Sequence, residues 1–355
     1  MSAIDIDKIS KIDKADMLKS LVDFPDQCVE AIRIGKDASI SYKASDFNNV
    51  IFAGLGGSAI GAEVFCCLFR DELKVPALVS REYTLPQFVD DKTLLIIASY
   101  SGNTEETLSS YDMGLKKGAK MVCISSNGKV EELARKDNFP FVRIPAGLPP
   151  RCALGYSFFP LLGIFAQMGF IKDKSSDADE TIKLLRKLRD EKLAPQVTDK
   201  DNLAKPIAAT ISGGLAAIYS ASEHMGAVAV RWRGQIAENS KHLASHHLLP
   251  EMNHNEIVGW ENPKAILKKI TAVFLKDKDD HIRVKHRMEI TEKLITPHAK
   301  DIVVLESTGE SALARTFSLI YTGDWVSFYL SILNGVDPTP VERIGFLKGE
   351  LAKIK

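Results

Sequence analysis

The chain has 355 residues, which suits two domains better than a single core. Apolar residues make up 45% and charged residues 26%, the composition of an ordinary globular protein. Lys plus Arg equal Asp plus Glu at 46 each, so no global field draws the chain to nucleic acid or to an anionic membrane, and a small anion has to be held by a local site.

The cysteines (Cys28, Cys66, Cys67, Cys123, Cys152) form no C-x-x-C pair, which argues against a disulfide framework and against a thiolate metal site. The opening MSAIDIDKISKIDKADM alternates charge without an apolar run, and no stretch reaches the length of a membrane span. Neither a signal peptide nor a membrane segment is expected, and the cytoplasm is the expected compartment.

Residues 1–40 read as a helical arm, with helix over 13–35 and a break at Pro25. Apolar strands then alternate with helices: strand 50–53, helix 59–70, strand 75–79, strand 94–98, a helix opened by Thr104, strand 121–124, helix 129–135 and strand 141–144. This rhythm predicts an α/β domain over 41–170, with a parallel sheet covered by helices on both faces. Pro149-Pro150 interrupts it, and a long apolar helix follows over 151–170. The polar stretch 171–205 reads as a helical linker with one amphipathic helix near 181–189. A second α/β domain is expected over 206–355, from a strand at 206–212, a helix at 215–231, strands at 270–275 and 301–305, and a C-terminal helix at 312–334.

Two loops carry the chemistry of the first domain. "GLGGSA" (54–59) ends the first strand and matches G-x-G-x-x-A, a dinucleotide fingerprint in the right strand-to-helix context. That reading also needs an acid at the end of the next strand, where Ser80-Arg81 stand, with Glu82 a poor substitute. "SYSGNTEET" (99–107) follows the third strand with hydroxyls at Ser99, Ser101 and Thr104. Thr104 can cap a helix whose first turn carries Glu105 and Glu106. Hydroxyls and free N–H groups at a helix N-terminus form a cradle for phosphate, although a well-capped turn has much the same composition. A sugar phosphate held by Ser99, Ser101 and Thr104, with Gly57 and Ser58 as the adjacent wall, accounts for both loops at once.

"GLGGSAIG", "SYSGNTEET", "PPRCALGY" and "NHNEIVGW" together resemble the bifunctional phosphoglucose/phosphomannose isomerases, relatives of glucose-6-phosphate isomerase. The resemblance runs from about residue 40 to the C-terminus. It implies two flavodoxin-like sugar isomerase (SIS) domains, a cytoplasmic homodimer, and reversible isomerisation of glucose 6-phosphate and mannose 6-phosphate with fructose 6-phosphate. Aldose–ketose isomerisation needs a base that moves a proton between C1 and C2 through a cis-enediol, a group that opens the sugar ring, and positive charge near the enediolate. It needs no metal and no cofactor.

The resemblance assigns the base to Glu238, whose other reading is a solvated helix glutamate. Ring opening falls to His254, delivered into the neighbouring subunit's site, with flanking asparagines able to fix its tautomer. His242, His246 and His247 form a rival set that reads as helix surface or interface. Arg151 is assigned to the enediolate, its other reading being an ion pair at the domain boundary. Cys152 beside it has no support as a nucleophile. Lys348 is placed by the ring oxygen, with Lys353 and Lys355 as alternative registers. Bifunctional members carry a threonine that leaves room for the C2 epimer; the nearest, Thr339, stands at a spacing from Lys348 that does not match. A non-catalytic SIS module that senses a sugar phosphate is the alternative, but such regulators append a DNA-binding domain, and neither a helix-turn-helix nor a basic arm is present.

Overall fold

The computed structural model describes residues 4–354, which leaves Lys355 and the first three residues of the expected arm outside the description. The arm consists of α1 (Ile6–Ile12), α2 (Met17–Val22) and α3 (Phe24–Asp37). Pro25 sits in the first turn of α3, where a missing N–H costs nothing, so it starts a helix and the break falls two residues earlier at Asp23.

The first sheet then assembles in chain order: β1 (Asn49–Ala53), α4 (Gly56–Leu68), β2 (Ala77–Ser80), β3 (Thr93–Ser99), α5 (Glu105–Lys116), β4 (Lys120–Ser125), α6 (Lys129–Lys136) and β5 (Phe141–Arg143). Its five strands are parallel in the order β2-β1-β3-β4-β5, the flavodoxin-like order with a switch point between β1 and β3. Three helices follow, α7 (Leu154–Met168), α8 (Ser175–Leu188) and α9 (Ala204–Ile211).

The second sheet comprises β6 (Leu215–Ala221), α10 (Gly226–Ser240), β7 (Ala244–Leu249), short α11 (Glu256–Gly259) and α12 (Lys264–Leu267), β8 (Ile270–Lys276), α13 (Ile282–Ile295) and β9 (Asp301–Glu306). Its four parallel strands run β7-β6-β8-β9, repeating the first sheet's order one strand shorter. The chain closes with α14 (Ala312–Asn334) and α15 (Glu342–Leu351).

Three expectations change here. Residues 206–212 are mostly helix α9 rather than a strand, and the stretch expected as helix 215–231 holds strand β6, a turn and the start of α10. The histidines do not share a helix face either. His246 and His247 are neighbours on β7, where successive side chains point to opposite faces.

Alternation along the strands explains the layering. Val50, Phe52, Leu94 and Ile96 of the first sheet and Ala216, Ile218, Val273 and Leu275 of the second belong to one apolar core with α3, α4, α7, α8, α10 and α14. Ile51, Leu95, Ile97 and Met121 face the other way, among the residues around α5 and α6. Tyr219, Ala272 and Phe274 face Met252, Trp260 and α13. The two sheets therefore share a central helical layer, and each has a cover of its own outside. The expected linker is part of that layer, because Ala178, Ile182 and Leu185 of α8 are buried in the common core.

Candidate active site

The site is built where the first sheet's switch point meets α10. Gly54 to Ser58 follow β1, and Ser99 ends β3 with Tyr100 to Thr104 following it, so the two loops are neighbours at the carboxyl edge. Ser58 is buried and its hydroxyl accepts from Tyr100 N at 3.1 Å, tying one loop to the other. Ser99 is 2% exposed, and its hydroxyl pairs with Thr104 Oγ1 at 2.9 Å. Thr104 is the N-cap residue of α5, yet its side chain makes no capping bond, since the pairing with Ser99 uses it. Ser101 is exposed at the loop tip and accepts from Asn103 N at 3.4 Å. Gly102, at φ +70°, lets the loop lie on its neighbour: a Cβ there would come within 1.7 Å of Asn127 O.

Gly57 links these loops to the next part. A Cβ on Gly57 would stand 2.2 Å from Pro150 O and 3.2 Å from Arg151 N, so only glycine lets the Pro149-Pro150-Arg151 turn lie against the start of α4. From that turn the buried Arg151 reaches into the second domain. Its Nε donates to Asn239 Oδ1 at 2.6 Å, and its Nη2 donates to Pro338 O at 2.7 Å and Thr339 O at 2.8 Å. Its Nη1 stands 3.7 Å from Glu238 Oε2. The guanidinium is thus anchored on one side and presents the other to a carboxylate that is 35% exposed.

A second arginine supports the first. Arg231 donates from Nη2 to Arg151 O at 3.1 Å and pairs with buried Asp324 at 2.7 Å, while Gln235 adds a bond to the same carboxylate at 3.0 Å. Removing either ion would leave the other buried and unpaired, which is what makes such a pair an effective brace. Burial also pushes the Cys152 thiol up to about 11, so at neutral pH it is protonated and inert.

A cleft of about 680 Å³ opens beside Glu238, bordered by Lys241, His242, Asp337, Pro340 and the first turn of α15. The structure brings Arg151, Glu238, Gly57 and the hydroxyl loops to one side of the molecule. It does not bring His254 there. His254 lies in the turn after β7, exposed, next to Met252, which packs on the outer face of the second sheet, while α10 packs on the inner face. Its flanking amides are engaged elsewhere, Asn253 with Thr291 Oγ1 at 2.8 Å and Asn255 with Glu256 N at 2.6 Å. Lys348 is exposed on α15, a helix with no buried residue.

Thr339, which spacing counted against, and Lys241, which no motif singled out, both gain weight here. Thr339 sits against Arg151, and its hydroxyl is buried with no hydrogen-bond partner. A buried orphan oxygen costs about 1–3 kcal/mol, which a ligand hydroxyl would recover. Lys241, at the end of α10, donates to Asp337 O at 2.7 Å and Pro338 O at 2.9 Å. No pattern of residue types flags a lysine bound to carbonyls or a threonine without a partner.

The dinucleotide reading meets two obstacles: the sheet has the flavodoxin-like order, and Arg81, where a ribose-binding acid belongs, is paired with Glu63. Comparison with known proteins points the other way. Residues 200–351 match the bacterial phospho-glucose isomerase C-terminal SIS domain. The chain is 47% identical over 339 residues to a bifunctional phosphoglucose/phosphomannose isomerase of Caldicellulosiruptor bescii, covering 96% of this chain and 100% of that protein. It is 38% identical to the enzyme of the same name from Aquifex aeolicus, over 88% and 93% of the two chains. A glucose-6-phosphate isomerase like protein from Thermus thermophilus shares the fold, with a TM-score of 0.63 at 18% identity over 97% of this chain and 99% of that one. With a flavodoxin-like pair of sheets, an arginine aimed at a glutamate between them, and near-full-length relatives at this identity, the chain belongs to the bifunctional phosphoglucose/phosphomannose isomerases.

Proposed function

We infer that the chain interconverts glucose 6-phosphate and mannose 6-phosphate with fructose 6-phosphate, as the names of its relatives indicate for those proteins. The observation that carries the site assignment is the approach of Arg151 Nη1 to Glu238 at 3.7 Å, one turn of chain from the hydroxyl loops. Glu238 takes the C2 proton of the open-chain aldose and returns it to C1, while a hydroxyl proton passes from O2 to O1. Arg151 stabilises the negative charge on the enediolate oxygens through the one face its anchors leave free. Ser58, Ser99, Ser101 and Thr104, with the Gly57 backbone, hold the phosphate, and Thr339 faces the C2 epimer. Lys348 attends the ring oxygen from α15, which borders the cleft.

Ring opening is assigned to the partner subunit's His254 in a homodimer. Support comes from the placement within one chain, where the second sheet stands between His254 and the helix that carries Glu238. No helix among the described residues is long and apolar enough to cross a membrane, and the cysteines are free, as a cytoplasmic enzyme keeps them.

Glu238→Gln keeps the shape of the side chain but accepts no proton. Turnover should fall by about 10²–10⁴-fold with binding retained, and exchange of the C2 proton with deuterated solvent should stop. Mixing inactive Glu238→Gln and His254→Ala chains should restore activity in heterodimers. Near-normal turnover of folded Glu238→Gln moves the base elsewhere, and no recovery after verified subunit exchange means each site is built within one chain. A sensing module would bind sugar phosphate and turn nothing over in any of these assays.

A further inference from the structure

After Gly335 ends α14 at φ +67°, residues 336–340 cross beside the cleft to reach α15. This strap belongs to neither sheet, and Pro338 and Pro340 supply no N–H donors, so no ladder can hold it. Its carbonyls are held instead. Arg151 takes Pro338 O and Thr339 O from one side. Lys241 takes Asp337 O at 2.7 Å and Pro338 O at 2.9 Å from the other, with Asn239 O a third acceptor at 3.4 Å. Three consecutive carbonyls are gripped by two cations, and Pro338 O is shared by both. The strap also ties itself, through Thr339 N donating to Asp337 Oδ1 at 3.0 Å.

The lysine occupies a costly place. Lys241 is the C-cap of α10 at φ +50°, in the left-handed region where glycine or asparagine is the usual choice. Glycine would relieve the backbone but would bring no ammonium to the strap. Lys241 also stands three residues after Glu238, so the base and this grip are fixed to the same last turn of one helix.

We propose that Lys241 is a positioning residue of the isomerase site: together with Arg151 it clamps the Asp337–Thr339 strap and so sets where the Thr339 hydroxyl stands relative to Glu238. The proposal rests on the assignment of Glu238 and Thr339 made above. A clamp of this kind acts on sugar discrimination, because a loosened Thr339 meets the two C2 epimers differently, whereas a merely structural lysine would affect both sugars alike.

The test is steady-state kinetics on glucose 6-phosphate and mannose 6-phosphate for Lys241→Met, Lys241→Arg, Thr339→Val and the Lys241→Met/Thr339→Val double variant, with melting curves alongside. Lys241→Met should lower kcat/KM at least tenfold and displace the mannose-to-glucose ratio in the same direction as Thr339→Val. The double variant should be no worse than the poorer single one, because both changes break one device. Lys241→Arg, which keeps the charge but not the compact three-donor head, should fall between wild type and Lys241→Met. Lys241 is exposed, so methionine leaves no buried charge behind; if that variant nevertheless fails to fold, the ratio in Lys241→Arg decides. An unmoved sugar ratio in the folded Lys241 variants, or additive losses in the double variant, overturns the clamp. Full activity of Glu238→Gln would instead remove the base assignment, and a displaced ratio in Lys241→Met would still stand.

Discussion

The carboxyl edges of the two sheets have the same strand order and opposite chemistry. At the first switch point, between β1 and β3, the loops offer Ser58, Ser99, Ser101 and Thr104 with no carboxylate before Glu105. At the second, between β6 and β8, they carry Glu223, Asp277, Asp279 and Asp280. Asp277 there is buried against Arg315 Nε at 2.9 Å and also accepts from Ser307 Oγ at 2.6 Å. Burial works against its charge, but Ser307, the Asp279 amide and Arg315 together hold its carboxyl below the usual range. One edge is rich in hydroxyls and carries no carboxylate, whereas the other has filled the equivalent place with carboxylates. In the second sheet the acidic edge fastens α14, which carries Arg315.

Damage to the two edges should appear in different measurements. The largest effect is expected from Ser101→Ala with Thr104→Ala, since each lost hydrogen bond to a charged group costs about 1.5–3 kcal/mol. KM should rise by one to several orders of magnitude with the melting temperature little changed, and an unchanged KM would remove phosphate from this edge. Next comes Arg315→Met, which strands Asp277 in the interior and should cost about 3–5 kcal/mol of stability in denaturant titrations while KM stays at the wild-type value. A raised KM in that variant would mean that the second edge also meets the substrate.

The smallest effect concerns Asp280, which burial, with Asp277 beside it, pushes up from 3.8 to about 6. Between those values the folded chain holds a proton that the unfolded chain releases, so stability falls as pH rises through this window. Asp280→Asn, which keeps the acceptor for Asp277 N, should abolish that fall and gain up to about 2–3 kcal/mol above pH 6. Denaturant midpoints measured from pH 4 to 7 would show it, and parallel curves for the two proteins would contradict it.

The same contrast governs how much could be read from the residues alone. The first sheet's strands are continuous apolar runs, such as Leu94 to Ile97, and they announce themselves. β6, LAAIYSA, is rich in alanine, a helix former, and becomes a strand only because β7 and β8 flank it. α9, AKPIAATI, is apolar enough to pass for a strand and is made a helix by packing on β8 and α14. β7, ASHHLL, is an edge strand with polar residues and shows no alternation to detect. The long α14 is read end to end, from Ser311 as its N-cap to Gly335 after its last residue. In the site, the hydroxyl loops are legible because a cradle is local. The Arg151–Glu238 approach joins residues 87 apart, and only the family resemblance pointed to it. Thr339 enters only through the resemblance and at a spacing that does not match, and Lys241 is not legible at all, because their significance lies in which carbonyls are near and which hydroxyl has no partner.

α14 has one more consequence, for the order in which the protein can be made. Almost every residue from Leu313 to Ile332 is buried, and the helix touches the N-terminal arm as well as its own domain: Phe24 stacks near Phe317 and Tyr321, and Tyr321 donates to Leu21 O at 2.7 Å. The first-made segment therefore waits for one of the last. While translation proceeds α3 can already seat on α7, but the apolar face that α2 and α3 turn toward α14 stays open until residue 334 has left the ribosome. The first sheet can form early, but the molecule is sealed from its carboxyl end.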